Sequence, residues 1–181
     1  MPTTMLLDLT RLHGAREHFE RVLQPSAFDP PDEEYRVAAP VELSMDVAKG
    51  SGDSFEVTGR VLTRLELVCS RCVEPFEIPV DTTFELRYLP QEVNTGEGER
   101  EIAAEDLAAA FYRDGVIDIV DMLREQFQLA LPMKPLHDEA CRGLCPECGA
   151  NLNRTECGHA AQWEDPRLAP LQGLMNRLKE K

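Results

Sequence analysis

The chain has 181 residues, with 33 acidic and 19 basic side chains giving a net charge of -14, and a hydrophobic share of 43%. That length holds one sizeable domain and a small appendage, not two full enzyme domains, and the apolar share is that of a globular protein. No apolar run is long enough to span a bilayer, and the N-terminus lacks the basic start and extended apolar core of a signal peptide, so the expected location is the cytoplasm, with the cysteines reduced.

In chain order, Met5 to Leu9 reads as a short strand. From Ala15 to Leu23 the apolar positions Ala15, Phe19, Val22 and Leu23 recur at helical spacing, and Pro25 stops the pattern, which predicts a short amphipathic helix. Pro25 to Glu34, with Pro30 and Pro31 among acidic residues, reads as an exposed connection. His13 and His18 read as surface histidines. Val41, Leu43, Met45 and Val47 then alternate, Lys49-Gly-Ser-Gly-Asp53 makes a turn, and Phe55 to Leu67 resumes the period of two, predicting a long hairpin with one buried face. Cys69-Ser-Arg-Cys72 follows, and a third strand runs from Phe76 to Tyr88.

The segment Gln91 to Asp106 carries six acidic residues against Arg100 alone and reads as a long polar loop. Asp114-Gly115 between apolar flanks is a hairpin turn signal. A helix is expected from Asp118 or Asp121 to Pro132, with Val120, Leu123, Phe127 and Ala130 as its apolar stripe covering the open face of the sheet. Asp165-Pro166 has the form of an N-cap followed by proline, predicting a last amphipathic helix through Leu168, Leu171, Leu174, Met175 and Leu178. The expected fold class is α+β: a twisted antiparallel sheet with flanking helices and a small zinc-braced C-terminal module.

The charge is unevenly placed. Residues 133–181 hold seven basic and seven acidic side chains, so 1–132 carries the whole excess, twelve basic against twenty-six acidic. This divides the chain into an acidic sheet body, 1–132, and a neutral cysteine-rich module with a C-terminal helix, 133–181. The body repels phosphate backbones and favours a basic protein partner.

Between Cys141 and His159 lie four thiols and an imidazole, more soft ligands than packing alone accounts for. The two-residue gap of Cys145 and Cys148 lets one turn of backbone hold two thiolates on one ion, the spacing of structural zinc sites. Pro146 fixes a backbone angle in that turn, and Gly149 can adopt the positive φ that points amides back at sulfur. Candidate ligands number more than one tetrahedral ion can use: Cys69, Cys72, Cys141, Cys145, Cys148, Cys157 and His159. One arrangement joins Cys69 and Cys72 to Cys145 and Cys148. The other completes Cys145 and Cys148 from Cys141, Cys157 and His159, and is favoured because ligands close in sequence require little loop-closure entropy. Structural zinc supplies on the order of 10 kcal/mol in small modules, enough to order a segment with almost no core. A catalytic zinc needs an open coordination position and a base, which this cluster does not offer clearly. The enzymatic rival is a dithiol oxidoreductase or redox sensor using Cys69-Ser-Arg-Cys72, with Arg71 lowering a thiol pKa. Such motifs usually open a helix after a strand, whereas this pair bridges two strands.

Cys69-Ser-Arg-Cys-Val-Glu-Pro-Phe76 after a long strand, Ile117-Asp118 leading a helix that ends in Leu131-Pro132, and Cys141-Arg-Gly-Leu-Cys-Pro-Glu-Cys-Gly-Ala-Asn-Leu-Asn153 followed by Asp165-Pro-Arg167 together resemble the YceD family, described as large ribosomal RNA subunit accumulation proteins. The resemblance runs from about residue 40 to the end. It implies a non-enzymatic factor supporting accumulation or processing of 23S ribosomal RNA, with a basic large-subunit ribosomal protein or an rRNA precursor as partner, and no membrane or small-molecule substrate. Family members commonly finish the cluster with Cys-x-Cys where this chain has Cys157-Gly158-His159. Histidine can replace a thiolate on zinc, so His159 gains weight as a ligand and Cys141 loses some. The ligand question narrows to whether Cys141 or His159 joins Cys145, Cys148 and Cys157.

Overall fold

The computed structural model describes residues 5–91 and 109–159. The expected last helix from Asp165, and nearly all of the acidic loop, lie outside these residues. Contacts divide the chain into two compact units: Met1–Val68 with Pro75–Pro135, and Cys69–Glu74 with the residues from Leu136 onward.

The first unit is mostly sheet. Its strands are β1 (Leu6–Asp8), β2 (Arg16–Leu23), β3 (Arg36–Val37), β4 (Val41–Lys49), β5 (Phe55–Val68), β6 (Pro75–Pro90), β7 (Ala109–Tyr112) and β8 (Val116–Asp118), followed by one helix, α1 (Ile119–Ala130). The main sheet has the order β2-β4-β5-β6-β7, with β3 also on β5, while β1 and β8 form a separate antiparallel pair. All its pairings are antiparallel except β6 with β7, which is parallel. The expected long hairpin is present: β4 and β5 pair from Glu42↔Leu62 to Lys49↔Phe55, and β5 and β6 from Phe55↔Tyr88 to Val68↔Pro75. Their alternation buries Val41, Leu43, Met45 and Val47 on the same face as Val57, Val61 and Leu65, as a period of two requires.

The helix expected over 15–23 is instead the edge strand β2, paired with β4 from Arg16↔Ala48 to Leu23↔Val41. The apolar positions Phe19 and Leu23 lie on the core-facing side under either reading, so spacing alone did not separate them. A nine-residue helix is too short to stand without strong packing, and the edge of β4 offers a row of backbone partners. Charges suit an edge strand: Arg16 and His18 reach Asp46 at 3.3 and 3.2 Å. The connection after β2 also departs from expectation, since Pro25–Phe28 is a 3-10 helix that buries Phe28.

The Asp-Gly turn forms as predicted, with φ of 52° at Asp114 and 71° at Gly115, the two left-handed residues of a type I′ turn. Helix α1 starts where Asp118 caps it, accepting hydrogen bonds from the amides of Val120 and Asp121 at 2.9 and 3.4 Å. It buries Val120, Leu123 and Phe127, with Ile119 and Met122. Phe127 meets Phe28 and Tyr35 at ring separations of 5.5 and 6.0 Å. The expected flanking helices thus reduce, among the described residues, to α1 and two 3-10 turns. No helix among them is long and apolar enough to cross a membrane.

Candidate metal centres

The second unit contains two quartets of metal-ligating side chains. Cys69, Cys72, His137 and Cys141 form one; Cys145, Cys148, Cys157 and His159 form the other; in each, one donor atom per residue lies within 4.8 Å of the rest. All six cysteines are free thiols.

The first quartet begins where β5 ends. Cys69-Ser-Arg-Cys72 folds into a tight turn closed by the Val73 amide donating to the Cys69 carbonyl at 2.9 Å, and by the Cys69 amide donating to Glu74 at 2.9 Å. The Arg71 guanidinium donates to the carbonyls of Glu139 and Cys141 at 2.7 and 2.9 Å, which carries the 139–141 segment to the turn. Cys69 and Cys141 sulfurs stand 3.9 Å apart, and Cys72 Sγ stands 3.4 Å from His137 Nδ1. Zinc–sulfur and zinc–nitrogen bonds of ordinary length at tetrahedral angles imply edges of about 3.8 Å between sulfurs and about 3.6 Å from sulfur to nitrogen. The spacing therefore fits a tetrahedral ion and is far from a disulfide.

The second quartet is local. The Gly149 amide donates to the Cys145 carbonyl at 2.9 Å, with φ of 72° at Gly149, and the Cys145 amide donates to Ala150 at 2.8 Å. Cys145 Sγ lies 3.9 Å from His159 Nδ1. Cys145 is buried, Cys148 and His159 are exposed, and Cys157 is half-buried, whereas all three thiols of the first quartet are buried.

Electrostatics favour a thiolate in each quartet. Burial opposes ionisation of Cys69, but hydrogen bonds from the backbone at His137, Arg71 and Cys72, with the His137 side chain, outweigh it and bring its pKa down to about 5. Burial, followed by the neighbouring Cys69 and Cys141, pushes Cys72 up to about 11. Backbone hydrogen bonds at Cys148 and Glu147 lower Cys145 to about 6. The His159 amide favours the Cys157 thiolate, yet the adjacent Cys145 and burial raise it on balance. Each quartet thus sets one stabilised thiolate, Cys69 or Cys145, beside one thiol whose ionisation is opposed, Cys72 or Cys157, and a bound cation would relieve that opposition.

Asn153 supports the link between the quartets. Its side-chain amide donates to Cys141 Sγ at 3.3 Å, and its oxygen accepts from the Arg142 amide at 2.7 Å. Cys141 therefore groups with Cys69 and Cys72, while His159 groups with Cys145, Cys148 and Cys157. The second quartet is the local set with His159 rather than Cys141 beside Cys145, Cys148 and Cys157, whereas the Cys69 pair groups with His137 and Cys141 and not with the Cys145 pair. His137 escaped the sequence reading. Its spacing, His137-x3-Cys141, was the available signal.

A family described as "Large ribosomal RNA subunit accumulation protein YceD" matches residues 57–175. The chain is 26% identical over 169 residues to large ribosomal RNA subunit accumulation protein YCED homolog 1, chloroplastic, of Arabidopsis thaliana, covering 82% of this chain and 52% of that protein. The maize protein of the same name is 29% identical over 157 residues, covering 75% and 53%. An uncharacterized protein of Mycobacterium leprae is 28% identical over 141 residues, covering 76% and 60%. The chain thus spans about half the length of the two plant relatives. No solved structure matches.

Proposed function

Because this chain belongs to the YceD family, we propose that it is a non-enzymatic cytoplasmic factor in the accumulation of large-subunit ribosomal RNA, and that it works by holding a basic ribosomal protein on its acidic body, residues 1–132. The observation that carries this reading is a groove of about 730 Å³ beside α1, whose apolar lining includes Phe84, Leu86 and Met122 and whose ionised lining residues are Glu85, Asp118, Asp121 and Glu125, with no lysine or arginine among the described residues that line it. A second depression, on the β2-β4-β5 strands, instead mixes Glu20 and Glu42 with Arg21 and Arg60. The groove beside α1 therefore complements a segment that is both cationic and apolar, and repels a bare phosphate backbone.

The neutral module, 133–181, belongs to this proposal as a scaffold ordered by structural zinc at Cys145, Cys148, Cys157 and His159. Zinc fits a donor set of three thiolates and one imidazole, and closed four-ligand sites of that kind brace folds rather than turn over substrate. The tagged full-length chain, used at moderate salt as bait, is expected to capture large-subunit proteins or their precursors. Glu85→Lys with Glu125→Lys should reduce that capture at least tenfold. Recovery of neither class, or capture indifferent to the charge reversals, overturns the reading. Insulin reduction lost on Cys69→Ser would favour the dithiol oxidoreductase instead.

A further inference from the structure

We propose that Cys69, Cys72, His137 and Cys141 form a second zinc centre, separate from the one at Cys145–His159, so that one chain binds two ions. This inference is independent of the ribosomal reading.

The first argument is exhaustive use of the ligands. The chain has six cysteines and four histidines. All six cysteines fall into the two quartets, three to each, and each trio is closed by one histidine. The two remaining histidines, His13 and His18, lie near β2 in the other unit. Buried thiols that serve only as small apolar groups have no reason to divide into two equal sets, each completed by an imidazole. Two Cys3His tetrahedra account for the whole set.

The second argument is local geometry. The turn at Cys69–Val73 repeats the turn at Cys145–Gly149: in both, the amide four residues on donates to the first cysteine's carbonyl at 2.9 Å. In both, that fourth residue has positive φ, 59° at Val73 and 72° at Gly149. Glycine adopts this conformation freely, but for a β-branched residue it is a genuine outlier. Val73 is 63% exposed, so its side chain gains little from packing that would offset the strain. The conformation persists because it turns backbone amides toward the two sulfurs, as the zinc-binding turn requires.

The third argument is how the chain divides its ligands. Cys141 and Cys145 are four residues apart, yet belong to different quartets. Between them Gly143 has φ of 76°, with a would-be Cβ 3.0 Å from the Arg71 carbonyl, and the Leu144 amide donates to that carbonyl at 3.1 Å. The backbone is thus pinned to the Cys69–Cys72 turn just before Cys145 leaves for the other centre.

Native mass spectrometry of the full chain purified with zinc is expected to show two ions. Cys69→Ser and His137→Ala should each leave one, Cys148→Ser should also leave one, and Cys69→Ser with Cys148→Ser should leave none. His137→Cys, which restores a side chain that ligates zinc, should return the count to two and shows that loss in His137→Ala is not misfolding. One ion in the wild type, or two retained in both Cys69→Ser and His137→Ala, overturns the proposal. Chelator challenge provides a second readout. One centre exposes both Cys148 and His159 and half-exposes Cys157, whereas the other exposes only His137 and buries its three thiols, so zinc should leave in two phases. The fast phase should vanish in Cys148→Ser while the slow phase survives. A single phase releasing one equivalent contradicts the second centre.

Discussion

Replacing Gly59 with alanine tests the sheet that carries the acidic groove. Gly59 pairs with Met45 on β4 and Phe84 on β6. A Cβ there would lie 2.6 Å from Phe84 Cζ, 2.8 Å from the Ser44 carbonyl oxygen and 2.9 Å from Met45 Cβ. The ring end can shift, but the other two atoms are backbone or attached directly to it, and Met45 is fully buried. Overpacking of a formed core costs about 1–3 kcal/mol. Two of the three clashing atoms cannot swing away, which puts the cost in the upper part of that range, about 2–3 kcal/mol. Loss of glycine's freedom in the unfolded chain returns roughly 0.4–1 kcal/mol, leaving a net destabilisation of about 1–2 kcal/mol. At this chain length that lowers the melting temperature by about 2–8 °C. Urea unfolding of the zinc-loaded protein should show an earlier midpoint at unchanged slope. Phe84→Leu removes the closest clash, so the double variant should be less unstable than the two single changes summed, by more than about 0.5 kcal/mol. A Gly59→Ala midpoint equal to wild type, or simple additivity with Phe84→Leu, refutes the packing argument.

Tyr35 is buried, and its hydroxyl has no hydrogen-bond partner among the described residues. Burial, with the negative charge of Asp32, pushes its pKa up to about 12. Tyr35→Phe should leave stability unchanged or raise it by up to about 1–2 kcal/mol in denaturant unfolding, because it removes an unsatisfied buried polar group; a loss above about 1 kcal/mol would show that the hydroxyl has a partner. The positive-φ residues that close the two metal-binding turns, Val73 and Gly149, should respond oppositely. Gly149→Val imposes a left-handed conformation costing about 1–2 kcal/mol, and chelator competition should show zinc held about 5–30-fold less tightly at that centre. Val73→Gly should hold zinc at least as tightly as wild type, and equal tolerance of both changes would remove the strain argument.

The sheet was readable because its signal is periodic and local. Val41 to Val47 and Phe55 to Leu67 alternate without interruption, so one buried face determined both strands and their register. Asp118 and Pro132 bounded α1 for similarly local reasons. The segment 15–23 was misread because its few apolar residues suit both a helix face and a strand face, and the deciding factor is the unpaired edge of β4, which is not local. The parallel pairing of β7 with β6 likewise depends on where the intervening chain returns. For the metal ligands, the residue types were plain but their partition was not. Cys145, Cys148 and Cys157 come together with His159, while His137, an isolated histidine before the dense cluster, carried no distinguishing mark except its distance from Cys141.

Closure entropy favours a local set, and Cys145, Cys148, Cys157 and His159 do group together, but it does not account for Cys69 and Cys72 grouping with His137 and Cys141. Cys69 and Cys141 are 72 residues apart, whereas Cys145 and His159 are 14 apart. For flexible loops, that difference in closure cost is only about 1.4 kcal/mol, because the cost grows with the logarithm of length. It is smaller still here, since β6, β8 and α1 between Cys72 and His137 are folded and their freedom is lost to the sheet core rather than to the ligand set. A structural zinc site contributes roughly 10–16 kcal/mol in zinc-finger peptides, so a closure cost of this size does not prevent ligands far apart in sequence from forming a site. Selection falls to geometry around the ligands themselves: the two matched turns, the Arg71 clamp on 139–141, and the left-handed Gly143 that separates Cys141 from Cys145. A chain that needed only the local centre would require neither the turn at Cys69–Val73, nor the Arg71 clamp, nor the left-handed Gly143. Their presence around Cys69 and Cys72 is the physical reason to count that turn as half of a metal site rather than as a spare dithiol.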